Sequence, residues 1–185
     1  NLDPTKPDFP EFLERYHKNK LFLGIRYGRA ARFLAPEPFP AARGVVESHT
    51  FAPACPQAPR TYLPQDEDCL ALNVWMPATR PSAPRPVLVY FHGGAYSTGS
   101  VSDPLNDGER LATAGDVVVV TVNHRLNAFG YLSLARLDSR FPDSGNAGQL
   151  DLVLALRWVR DNVSAFGGDP GCVTVFGQSG GGAKI

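Results

Sequence analysis

The chain has 185 residues, 18 of them basic and 18 acidic, with 43% hydrophobic and 19% charged residues. This balanced, moderately apolar composition excludes a disordered tail and a basic nucleic-acid binder, so no nucleic-acid partner is expected. The length is enough for one domain with a core of its own, and no apolar run approaches the ~18 residues that a membrane-spanning helix needs.

The chain opens at Asn1 with no basic-then-apolar signal region, as a trimmed secreted chain also would, so localisation stays open at this point. The 17 prolines crowd at or before Pro86, whereas the 18 glycines crowd at or after Gly93. Residues 1–86 therefore read as short pieces between prolines. Phe9 to Lys20 has the pattern of a short charged helix, Leu70 to Trp75 that of a strand, and Pro77 to Pro86 that of a turn-rich connector.

Beyond Pro86 each apolar run is followed by a glycine- or asparagine-containing turn and then a helical segment, the rhythm of a parallel α/β sheet. Val87–Phe91 and Val117–Val122 are β-branched and aromatic runs that predict buried strands, with a helix over Leu105–Ala114 between them. Gly148–Val163 carries Leu150, Val153, Leu154, Leu156, Trp158, Val159 and Val163 at helical spacing, which predicts a helix against the sheet. Val173–Phe176 predicts a third strand. Right-handed crossovers make the three strands parallel.

Three turns then share one place. His92-Gly93-Gly94-Ala95, Asn123-His124-Arg125 and Gly177-Gln178-Ser179-Gly180-Gly181 each follow a strand, at the carboxyl edge where open α/β sheets bind ligands. The third turn matches G-x-S-x-G, which lifts a serine hydroxyl above a strand-to-helix junction and needs small neighbours because the backbone is strained there. Alone, that match is weak in a glycine-rich chain. The second glycine turn on the same edge strengthens it, since backbone N–H groups with no side chain in the way can approach the oxyanion of an acyl-transfer intermediate.

A phosphate-binding loop is the rival reading of Gly177 to Gly182. It fails on spacing: Ala183 stands where the lysine belongs, Lys184 is one residue late, and Ile185 is not the Ser/Thr that holds magnesium. Cys55, Cys69 and Cys172 show no C-x-x-C spacing, and His17, His49, His92 and His124 form no pair at ligand spacing. No metal site and no cofactor are expected.

Two long segments carry a resemblance to the type B carboxylesterases, the carboxylesterase and cholinesterase group. Glu67 to Pro77, EDCLALNVWMP, resembles the family's cysteine-containing segment, and Phe166 to Gly181, FGGDPGCVTVFGQSGG, resembles its serine signature. HGGAYSTGS at 92–100, VVVVTVNHRLNAFGYLS at 117–133 and GNAGQLDLVLALRWVRDN at 145–162 are similar to family segments in the same order. The resemblance runs from about Phe22 to Ile185.

The resemblance implies an α/β-hydrolase fold, a mostly parallel central sheet with flanking helices, incomplete in this chain. Residues 1–86 would be a proline-rich lead-in and cysteine loop, and 87–185 the β/α core up to the nucleophile turn, together the amino-terminal part of one domain. Ser179 would be the nucleophile acting on a small-molecule carboxylic ester. The N–H groups of Gly94, Ala95 and Gly180 would form the oxyanion hole. Arg32 with Glu67, and Arg125 with Asp151, would be structural ion pairs, and His92 would shape its glycine turn. Cys55 and Cys69 would form the family's first disulfide, the alternative being two reduced thiols; the oxidised form implies a secreted or periplasmic protein, the reduced form a cytoplasmic one. Cys172 is expected as a buried apolar residue.

Four departures qualify this. Ala95 replaces the third glycine of the usual HGGG run, and its methyl narrows the acyl site. Gln178 precedes the serine where glutamate is usual, and the loop from Cys55 to Cys69 has Tyr62 as its one aromatic and no tryptophan to stack on choline, which together favour a general ester hydrolase. The triad of this fold runs in chain order Ser, acid, His, but residues 180–185 contain no acid and no histidine. The missing acid and imidazole are expected from a remainder of the same polypeptide. A non-catalytic, cholinesterase-like adhesion protein is the competing expectation, disfavoured by the presence of Ser179.

Overall fold

In the computed structural model, residues 21–42, 44–79 and 81–185 are described; the helix expected over Phe9–Lys20 lies outside them. Among the described residues five strands form the main sheet: β1 (Leu21–Arg26), β4 (Ala71–Trp75), β6 (Val118–Val122), β5 (Arg85–Phe91) and β7 (Gly168–Gly177), in that spatial order. A two-residue ladder, β2 (Gly28–Arg29) with β3 (Glu37–Pro38), lies outside it. β5 is parallel to β6 on one side and to β7 on the other, as the crossover rule requires. β4 alone points opposite to the other four, pairing antiparallel with β1 and β6. The sheet is mixed but mostly parallel.

β6 is buried along its whole length because helices cover both faces of the sheet. The short helix α2 (Asn127–Tyr131) follows β6, and helix α3 (Ala147–Asn162) packs Leu152, Ala155 and Val159 against Val87, Val89, Val118, Val120 and Val122. The other face buries Val119 with Trp75, Leu23 and Ala112 of the short helix α1 (Glu109–Gly115). On α3 the buried stripe runs through Gly148, Asp151, Leu152, Ala155 and Val159, whereas Val153 of the expected stripe is exposed.

Several expectations shift. The connector ends earlier than its prolines suggest, because β5 begins at Arg85 and takes in Pro86 at a register slip between Arg85 and Val87. A proline cannot donate to a ladder, and a bulge removes the need. The single helix over Leu105–Ala114 is instead a 3-10 turn, Pro104–Asn106, followed by α1. Asp103 and Asp107 cause the break: their carboxylates accept from the N–H groups of Leu105 and Glu109, at 2.9 and 2.8 Å, so the backbone restarts at each.

β7 is ten residues long, not four, and among the described residues it is the outermost strand on its side of the sheet. Cys172 is accordingly exposed, not buried: it precedes Val173, where pairing with β5 resumes, and nothing covers it on the outer side among the described residues. Cys55 and Cys69 are bonded to each other and buried. Both expected ion pairs form, Arg32 with Glu67 at the surface and Arg125 with Asp151 in the interior.

Candidate active site

The strands β5, β6 and β7 end at Phe91, Val122 and Gly177, so the three turns leave the sheet along one edge. Their approach is close. A methyl placed on Gly180 would stand 2.9 Å from the backbone nitrogen of Ala95, and one on Gly181 would overlap the carbonyl of Phe91. A methyl on Gly93 would meet the Gln178 carbonyl oxygen at 2.9 Å. The first and third turns therefore touch backbone to backbone, which side chains at these positions would prevent.

Ser179 sits at the apex of the third turn with φ +52°, a left-handed conformation that costs a non-glycine residue ~1–2 kcal/mol. Its surroundings hold it there. The Gly181 N–H donates to the Gln178 carbonyl at 2.8 Å and the Ala183 N–H to the Ser179 carbonyl at 3.1 Å. Gly177 must be glycine because a methyl there would overlap Gly181 and Gly182 across the turn. The Ser179 side chain is exposed.

The first turn is strained in the same sense over three consecutive residues, Gly94 (φ +105°), Ala95 (+51°) and Tyr96 (+64°). This turns the Gly94 carbonyl inward, where it accepts from Ser97 at 2.9 Å and Thr98 at 3.0 Å. Among the described residues, no acceptor pairs with the N–H groups of Gly94, Ala95 or Gly180. Three free donors thus lie on two touching turns next to an exposed hydroxyl. Such a set can hold a developing oxyanion while the hydroxyl attacks.

The second turn is architectural. Asn123, His124 and Arg125 are buried. Arg125 donates to Asp151 at 2.7 and 2.9 Å through its guanidinium and to the Leu34 carbonyl at 2.7 Å, and its backbone N–H also reaches Asp151 at 2.9 Å. Burial pushes the Asp151 carboxyl up, and Arg125 pulls it back.

His92 and His124 stack with ring centroids 4.6 Å apart and planes 8° from parallel. Each Nδ1 faces a backbone carbonyl, that of Gly93 at 2.8 Å and that of Arg125 at 3.2 Å. Burial pushes His92 down to about 4 and His124 well below the usual imidazole range, the charge of Lys184 adding to both. They are neutral packing groups, which agrees with His92 shaping its turn. His49 faces Glu47 at 2.6 Å.

Two residues of this edge escaped the sequence. Lys184, one residue late for a phosphate loop, is buried against the Gly180 carbonyl. Tyr96 lies under its ammonium. A lone cation within a run of glycine and alanine, five residues after the serine, was the signal available. No group of metal-ligating side chains exists among the described residues.

The sequence matches the carboxylesterase family over residues 12–185. It is 48% identical to a para-nitrobenzyl esterase of Bacillus subtilis over 88% of this chain and 35% of that protein. It is 43% identical to human carboxylesterase 3, over 89% of this chain and 31% of that one. Among solved structures, it superposes with TM-score 0.83 and 51% identity on an esterase from the anaerobe Clostridium hathewayi that can hydrolyze aliphatic aromatic polyesters, covering 89% of this chain and 35% of that one. A Geobacillus stearothermophilus carboxylesterase gives the same score at 45% identity. The chain thus spans about a third of the length of these relatives, and the sheet is that of an α/β-hydrolase.

Proposed function

The chain belongs to the carboxylesterase family, and from that premise we propose that Ser179 is the nucleophile of a carboxylic ester hydrolase. Its hydroxyl attacks the ester carbonyl, the alcohol leaves, and water cleaves the acyl-enzyme. The N–H groups of Gly94, Ala95 and Gly180 take the oxyanion that forms at each addition. The observation that carries this reading is the contact between the Gly180 turn and the Ala95 nitrogen, beside a serine held left-handed.

Among the described residues no imidazole hydrogen-bonds to Ser179, and His92 and His124 are committed to each other. The general base and its acid come from other residues of the same polypeptide, so residues 1–185 act as the amino-terminal part of one hydrolase domain. The Cys55–Cys69 bond supports an oxidising compartment. Incubating the full-length protein with an organophosphate tests the assignment by mass: a single adduct on Ser179, lost together with ester turnover in Ser179→Ala, is expected. An unlabelled serine would instead favour a non-catalytic interaction protein.

A further inference from the structure

Lys184 is 5% exposed, and among the described residues no carboxylate lies against it. Lysines are almost never buried without a partner. Burial alone pulls this ammonium down to about 8. What it has instead of a counter-ion is a carbonyl and a ring: its Nζ donates to the Gly180 oxygen at 3.1 Å and stands 4.2 Å from the centroid of Tyr96. These contacts belong to different turns, one to the residue after Ser179 and the other to the residue after Ala95.

Tyr96 is itself tied down from several sides. Its hydroxyl donates to the Ala183 carbonyl at 3.1 Å, its backbone carbonyl accepts from Asn127 at 2.7 Å, and its ring meets Tyr131 edge-on at 5.0 Å. The Lys184 carbonyl accepts from Gln149 of α3 at 2.7 Å, which fixes the other end of the lysine to the core. Ser179, Ala95 and Tyr96 all hold left-handed backbones, and such conformations persist only where the surroundings over-determine them. An ammonium in a poorly solvated place attracts both a carbonyl and an aromatic face more strongly than in water.

We propose that Lys184 is a positioning residue that clamps the Ser179–Gly180 turn to the Ala95–Tyr96 turn, and so fixes the spacing of the Ala95 and Gly180 N–H groups. The clamp rests on the ester-hydrolase reading above, since its purpose is to hold an oxyanion hole. It acts through these peptides and does not touch the reacting atoms.

The test is steady-state hydrolysis of p-nitrophenyl acetate by the full-length protein and its variants. Lys184→Met keeps the length and removes the cation, and a loss of kcat of roughly ten- to hundredfold with KM within about threefold is expected, as for a small misplacement of catalytic groups. Lys184→Arg, which keeps a cation and donors, is expected to retain more than half of the lost activity on a logarithmic scale. Wild-type kcat in Lys184→Met overturns the clamp, as does an equal loss in Lys184→Arg. Should Lys184→Met not fold, Tyr96→Leu removes the ring beneath an intact lysine. It is expected to show the same kcat-selective loss, and unchanged kcat there also overturns the clamp. A wild-type protein that neither turns over the ester nor is labelled at Ser179 removes the underlying reading and the clamp with it, whereas an active wild type with an unaffected Lys184→Met removes the clamp alone.

Discussion

The carbonyl of Gly94 accepts the N–H of Thr98 at 3.0 Å, and a methyl on Gly94 would overlap the Thr98 carbonyl in return. With φ at +105° this position excludes every residue but glycine on both conformational and steric grounds. Gly94→Ala must therefore rotate the turn that carries two of the three free N–H groups. A fall in kcat of roughly a hundredfold or more is expected in the full-length protein, the scale of losing an oxyanion donor. Near wild-type turnover of an activated aryl ester would show that this turn does not hold the oxyanion.

The Arg125–Asp151 pair is the buried electrostatic joint between the second turn and α3, with Asp151 fully inaccessible. Arg125→Met leaves a carboxyl in the core with, among the described residues, only the residue-125 N–H as a donor. Stability should fall by roughly 3–5 kcal/mol, the cost of orphaning one member of a buried pair. Glu67→Gln, in the exposed pair with Arg32, should barely move the urea midpoint. Equal midpoints for the two variants would contradict this ranking.

The parallel strands were legible because β-branched runs buried on both faces leave a continuous apolar signature, as Val118–Val122 does. β1 was not: LFLGIR contains Gly24 at φ +69°, whose N–H bonds to the side chain of Asn73, and its register slips between Phe22 and Ile25. A strand defined by a bulge and by a partner far along the chain has no local period to read. The serine turn and glycine turn were legible from spacing. The contact of Lys184 with Tyr96 was not, because Tyr96 and Ala183 are 87 residues apart, and only the fold makes them neighbours.

Cys55 and Cys69 are 14 residues apart and both buried, so their bond closes the loop that presents Gln57 to Gly99. The Gln57 side chain accepts from the Gly99 N–H at 2.8 Å and donates to its carbonyl at 2.8 Å. A Cys55→Ser, Cys69→Ser double variant should lose about 3 kcal/mol, the chain-entropy value for a loop of this size. Ester turnover should survive below the shifted melting transition, since Gln57 supports the end of the glycine loop and not the serine. Unchanged unfolding midpoints under native and reducing conditions would count against a stabilising disulfide.

The stacked imidazoles of His92 and His124 are expected to set the acid limit of stability. Both are neutral in the fold, with His92 held at about 4 against an ordinary value of 6.5, and His124 held well below 6.5. As pH falls through this window, the unfolded chain takes up protons that the folded one refuses, so unfolding becomes easier. The stabilisation is complete above pH 6.5 and is lost progressively toward pH 4, by roughly 3 kcal/mol for His92 alone. Lys184 reinforces the effect, whereas the hydrogen bond to the Gly93 carbonyl and, more weakly, the charge of Asp103 oppose it. His124→Phe keeps an apolar partner for the His92 ring but removes one proton acceptor, and it should flatten the dependence of the melting temperature on pH between 6.5 and 4. A slope as steep as that of the wild type would mean that other groups govern acid unfolding.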